Sequence, residues 1–277
     1  MSQLLHEPPP PPELPDYQPI KPERRFRSLL RRLFAPLAAL TALLSKFGSA
    51  LGVILKLKVL TTSASMLVSV AAYAWIWGWR FAVGFVLLLF VHELGHVLEL
   101  RRQGVPASAP LFIPFLGAVV GMRGLPENAW KEARVALAGP ILGSLGAAAV
   151  WFAGSALDST LLKAVAFTGF FLNLFNLIPV VPLDGGRAAA AVSPVLWLVG
   201  LAGLLALAVF WHNPIILVIL LIGGAELWRR WRERHHPERA AYYRIPPWQR
   251  VVVAVVYIGL AASLVLAMSA THIPRHF

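Results

Sequence analysis

The clearest chemistry in the chain lies in five consecutive residues, His92-Glu93-Leu94-Gly95-His96. On a helix, histidines four apart stand one turn apart on one face, so both imidazoles can reach a single metal ion. Glu93 beside them can take a proton from a water activated by that ion. The run sits inside an apolar stretch, where every ionisable group is costly to hold. Three such groups in five residues imply a use, against the plainer reading of a hydrogen-bonded polar cluster between helices. The chain has no cysteine, which excludes disulfides, thiolate ligands and a cysteine nucleophile. A zinc site must therefore draw on histidine and carboxylate. Two carboxylates qualify as third ligand. Glu99 shares the helical stripe of His96 but neighbours Arg101 and Arg102, so an ion pair explains it equally well. Asp184 lies in Asn176-Leu-Ile-Pro179-Val-Val-Pro182-Leu-Asp184-Gly185-Gly186-Arg187, where Asp-Gly also reads as an ordinary turn.

The elements that hold these groups must be membrane helices. Apolar residues make up 58% of the chain and charged ones 14%, too apolar for a water-soluble core. Several stretches of about 20 apolar residues could each cross a ~30 Å hydrocarbon layer. None alternates as a membrane β-strand would, so the expected class is an all-α polytopic membrane protein. Seven transmembrane helices are expected, near 60–79, 81–100, 134–154, 161–182, 192–211, 213–228 and 250–270, with a tight turn at Asn213 and Pro214. With the N-terminus inside, 22 of the 25 Lys and Arg residues fall on cytoplasmic segments, and only Arg80, Lys163 and Arg275 lie elsewhere. The net charge of +12 is thus a topology signal and no pointer to nucleic acid. His92 follows Arg80 by about 18 Å of helix axis and His96 precedes Arg101 by about 8 Å, which places the pair in the cytoplasmic third.

The remaining segments have their own signatures. Residues 1–22 hold the Pro8–Pro12 run, lack a signal-peptide core and read as a disordered, proline-rich cytoplasmic tail. Residues 23–58 place Leu30, Leu33, Leu37, Leu40, Leu44, Phe47, Leu51 and Ile54 on one stripe behind five arginines. A basic amphipathic helix on the membrane surface fits, with a spanning helix over 33–55 and a coiled-coil seam as rivals. Residues 59–190 form the expected catalytic core, and 191–277 further spans with a basic cytoplasmic loop. Within 105–122, Pro106, Pro110 and Pro114 suppress helix while Phe112, Ile113, Val119 and Val120 favour extended chain. A re-entrant loop or hairpin near the active site follows, or else a loop resting on the membrane surface. His212, His235, His236, His272 and His276 carry no such pattern.

HELGH in one apolar span and FNLIPVVPLDGGR at the end of another resemble the site-2 protease family of intramembrane zinc metalloproteases, over roughly 60–190. The resemblance implies one zinc per chain held by His92, His96 and Asp184, with Glu93 as catalytic base and Asn176 at the substrate carbonyl or oxyanion. It implies a transmembrane-helix substrate held near Phe112, Ile113, Gly117 and Asn173. Ala138-Gly139-Pro140 resembles the family's element on the third span. Many members carry an asparagine shortly after it, where this chain has Gly143-Ser144. The chain also lacks room for the PDZ or CBS domain of some relatives, so regulation is expected through the tail, the surface helix or a partner. The implied setting is a multi-pass protein of a prokaryotic cell membrane, N-terminus cytoplasmic, cutting a peptide bond near the cytoplasmic face. Non-enzymatic alternatives are a metal-dependent transporter and an inactive relative that binds membrane helices. The intact Glu93 favours hydrolysis.

Overall fold

The computed structural model describes residues 58–115, 117–121, 124, 126–210, 214–232 and 237–271. The expectations for the proline-rich tail, the amphipathic helix before 58, the Asn213 turn and the five isolated histidines lie outside these residues. Helices α1 (Lys58–Trp77) and α2 (Trp79–Arg102) form an antiparallel pair hinged at Gly78, whose φ of +81° suits glycine. A short hairpin follows, β1 (Leu111–Ile113) against β2 (Gly117–Val119), with Phe112 opposite Ala118. Then come α3 (Ala129–Ala156), α4 (Thr160–Asn176), α5 (Asp184–Val192), α6 (Leu196–Phe210), α7 (Pro214–Arg232), α8 (Pro237–Tyr242) and α9 (Pro247–Thr271).

Each of the seven apolar stretches contains a helix. Four, Leu60–Trp77 in α1 with α2, α3 and α9, are long and apolar enough to cross a membrane by length and composition. α4 and α6 are apolar but shorter. The outward faces agree with lipid contact, since Leu67 of α1 and Leu266 of α9 are 69% and 68% exposed. Trp75 and Trp79 are exposed where α1 turns into α2, as aromatic side chains are at a membrane–water interface.

α3 is the central helix and packs against α2, α4, α5 and α9. Its buried face is built of Ala133, Ala136, Gly139, Gly143 and Ala147, small residues that let neighbouring backbones approach closely without a hydrophobic drive. Asn128 caps α3 by accepting from the Lys131 N–H, and Ser159 caps α4 by accepting from Leu162. The fourth expected span needs correction. Helix α4 ends at Asn176 and not near 182, because Pro179 and Pro182 have no N–H to continue the ladder. The chain reverses over 177–183 and starts a separate helix, α5, at Asp184.

The segment broken by prolines is a hairpin fastened to α1. Thr62 Oγ1 donates to the Pro110 carbonyl, Ser65 Oγ accepts from the Phe112 N–H, and Tyr73 Oη accepts from the Phe115 N–H. Phe112 is buried with Tyr73, Phe85, Val86 and Leu89, beside the turn of α2 that leads into His92.

Candidate metal centre

His92 and His96 are buried on the inner face of α2, 2% and 8% exposed. Asp184, the first residue of α5, meets them from the other side of the core; a carboxylate is favoured in a helix's first turn, near the N–H groups left without partners there. The reversal before α5 folds tightly back on it: a Cβ on Gly185 would stand 2.1 Å from the Leu177 carbonyl oxygen. His92 Nε2 and Asp184 Oδ2 are 3.1 Å apart, His96 Nε2 and Asp184 Oδ2 3.2 Å, and the two Nε2 atoms 3.2 Å.

The hydrogen bonds on the far side of each ring decide what this triangle is. His96 Nδ1 lies 2.8 Å from the Val135 carbonyl, which can only accept, so Nδ1 carries the hydrogen. His92 Nδ1 lies 2.8 Å from Asn173 Oδ1. The Asn173 amide is itself oriented by donating from Nδ2 to the Gly169 carbonyl at 2.7 Å, so its oxygen must face His92 and Nδ1 again donates. In the neutral imidazole each Nε2 is then the lone-pair acceptor, and both converge on a carboxylate oxygen. In that form three acceptors with no hydrogen among them repel one another unless a cation sits between them. Tetrahedral bonds of about 2.0–2.1 Å would hold such atoms about 3.3 Å apart, close to the distances found. The residues therefore fit a divalent ion, and His92, His96 and Asp184 are the one group of metal-capable side chains among the described residues.

The neighbouring groups fall into clear places. Glu93 is buried and near enough for the charges of His92, His96 and Asp184 to act on it. Glu99 is not in the cluster: Arg134 Nη2 lies 2.7 Å from its Oε1, and Gln103 donates to the same oxygen. The sequence left Glu99 and Asp184 open, and the geometry brings only Asp184 to the histidines. Asn176 ends α4 and donates from Nδ2 to the Leu172 carbonyl, a bond within its own helix. Phe112 is turned into the core under the hairpin, while Ile113 and Gly117 are half-buried. Asn173 is 1% exposed and sits behind His92, away from any open surface.

Gly139 and Gly143 give the third span its meaning. A Cβ on Gly139 would lie 2.2 Å from His96 Nε2, so the imidazole rests directly against the helix backbone. A Cβ on Gly143 would lie 2.3 Å from Asn173 Oδ1. The sequence gave no signal for the Val135 carbonyl, since a backbone acceptor has no residue type. The polar stripe Thr62, Ser65 and Tyr73 also went unread, although its spacing marks one helical face.

Residues 80–159 match the sequence model of peptidase family M50. Over this segment the chain is similar to peptidase family M50. The M50 segment contains α2 and α3, hence His92, Glu93, His96 and the Gly139 contact. Curated relatives include the zinc metalloprotease Rip3 of Mycobacterium tuberculosis, 33% identical over 129 residues, 44% of this chain and 33% of the relative. Zinc metalloprotease MJ0392 of Methanocaldococcus jannaschii is 32% identical over 119 residues, 40% of this chain and 34% of the relative. Zinc metalloprotease sll0528 of Synechocystis is 28% identical over 124 residues, 43% of this chain and 32% of the relative. The chain spans about a third of the length of the curated relatives it matches.

Proposed function

We propose that this protein is an intramembrane zinc metalloprotease that hydrolyses a peptide bond of a transmembrane-helix protein near the cytoplasmic side of the bilayer. The observation that carries this reading is the convergence of two imidazole Nε2 atoms, each ring held from behind through Nδ1, and one carboxylate oxygen in a buried site beside Glu93. The M50 match and relatives named as zinc metalloproteases support zinc over other ions. His92, His96 and Asp184 would hold one zinc per chain. When bound, zinc supplies Lewis-acid activation of water and of the scissile carbonyl. Glu93 accepts the proton of the attacking water and returns it to the leaving amine. Asn176, by resemblance, assists at the oxyanion, which requires its Nδ2 to give up or share the Leu172 carbonyl.

A helical substrate hides its peptide groups and must unwind to be cut. The hairpin offers one edge for strand pairing. Phe112 gives its N–H to Ser65, so the edge of β1 already meets α1. Residues opposite one another in an antiparallel pair exchange both bonds or neither, so the peptide groups of Ala118 face outward from β2. We assign the substrate strand to that edge, with Gly117 and Ile113 alongside. The basic-residue count supports a cytoplasmic N-terminus and a site open to cytoplasmic water.

The test compares wild type with Glu93→Gln on a reconstituted single-span substrate, with zinc measured in the same samples. The expected result is full zinc and a fall in turnover of about 10²–10⁴-fold in the variant. Equal cleavage by both forms removes Glu93 from the mechanism. Zinc-loaded wild type that cuts nothing, across a panel of single-span substrates, favours transport or helix binding.

A further inference from the structure

Asn173 has no direct line to substrate: it is 1% exposed, on the inner face of α4, and each polar atom of its carboxamide has a protein partner. Its Nδ2 donates to the Gly169 carbonyl and its Oδ1 accepts from His92 Nδ1. The first bond fixes which end of the amide faces His92. The second fixes which imidazole nitrogen keeps the hydrogen, and so which one is left to bind a metal. On the opposite helix, Gly143 of α3 makes the room, because a Cβ there would overlap Asn173 Oδ1 at 2.3 Å. That overlap has a specific size. Standard bond lengths put an asparagine Oδ1 about 2.4 Å from its own Cβ. An asparagine at 143 could therefore set its oxygen close to the point that Asn173 Oδ1 now occupies.

We infer that Asn173 is a positioning residue that presents His92 through Nε2, and that Gly143 and Asn173 are interchangeable sources of one carboxamide acceptor, supplied here from α4. The inference rests on reading His92, His96 and Asp184 as a metal centre. Ligand-orienting partners of this kind are worth about 10–100-fold in metal affinity. Leucine at 173 is close to asparagine in shape and lacks the acceptor, so it separates orientation from packing.

The experiment measures zinc affinity in detergent by chelator competition, together with the melting temperature of the metal-free protein. Asn173→Leu is expected to weaken zinc binding about 10–100-fold while the metal-free melting temperature stays level or rises. Asn173→Asp, which keeps an acceptor toward His92, is expected to bind zinc within about threefold of wild type and serves if the leucine variant misfolds. Asn173→Gly is expected to weaken binding, and Asn173→Gly with Gly143→Asn to regain most of it. Asn173→Leu with wild-type zinc affinity, or weakened affinity with a lowered metal-free melting temperature in both Asn173→Leu and Asn173→Asp, overturns the inference and leaves Asn173 a packing residue. A double variant no better than Asn173→Gly overturns the interchange with Gly143. Wild type that binds no zinc overturns the metal-centre reading itself, and the inference with it.

Discussion

Tyr242 donates its hydroxyl hydrogen to Glu132 Oε2 across 2.7 Å, joining residues 110 apart in the chain. The other oxygen of Glu132 accepts from Arg187 Nε at 3.1 Å, and Arg187 stands one turn after Asp184 on α5. One buried carboxylate thus ties the short helix α8 to the helix that carries the third metal-binding side chain.

This tie has a pH signature. Burial, then the charge and hydrogen bond of Glu132, push the Tyr242 phenol above its ordinary range. A group whose folded pKa is raised contributes stability that is complete below its unfolded pKa, about 10, and is lost as pH climbs above it. Thermal melts of metal-free protein across that range are expected to show a steeper alkaline decline in wild type than in Tyr242→Phe. The same variant loses one hydrogen bond to a charged acceptor, about 1.5–3 kcal/mol at neutral pH. Parallel alkaline slopes in the two proteins contradict the assignment.

The second prediction separates the two carboxylates near the histidines. Asp184→Ala is expected to abolish stoichiometric zinc and all cleavage. Glu99→Ala is expected to keep both, because Glu99 is held by Arg134 and Gln103 away from the cluster. Elemental analysis of both purified variants checks this; loss of zinc in Glu99→Ala alone would reverse the ligand assignment.

The third prediction concerns a single methyl group. Gly139→Ala places a Cβ within 2.2 Å of His96 Nε2, and the atoms in its way belong to the His96 ring, which its Nδ1 anchors to the Val135 carbonyl. Zinc content is expected to fall sharply, with about 1–3 kcal/mol of strain. Gly203→Ala is the control, since a Cβ there meets nothing within 4 Å. Equal zinc in the two variants would show that the imidazole has room to move.

The fourth prediction isolates substrate handling from chemistry. Ser65→Ala with Tyr73→Phe removes two side-chain acceptors of hairpin N–H groups and touches none of the metal-binding side chains. Zinc content is expected to match wild type while cleavage of a helical substrate falls several-fold. A pre-extended peptide is expected to suffer less, because an unfolded strand depends less on an ordered edge. Unchanged cleavage of the helical substrate would separate the hairpin from presentation.

The helical period made His92, Glu93 and His96 readable, because an i, i+4 pair in an apolar span has few other uses. The prolines at 106, 110 and 114 made the hairpin readable in the same way, as did the apolar runs for the long helices. Asp184 was legible only as one of two candidates, and the element carrying it was misjudged. Nothing in FNLIPVVPLDGGR states that the chain reverses before a new helix begins; that follows from how 177–183 packs on α5. The contact between His92 and Asn173 was illegible for a similar reason. It joins residues 81 apart, and a glycine on a third helix is what permits it.

The separation of Asp184 from the helix before it also bears on how the protein is made. Synthesis runs from the N-terminus, so α2 enters the bilayer with its histidine pair while residue 184 is still to be translated. During that interval the nascent chain holds two of the three ligand side chains, and α5 has yet to dock on α3. A metal centre assembled in this order stays incomplete until residue 184 has been made and α5 has docked on α3.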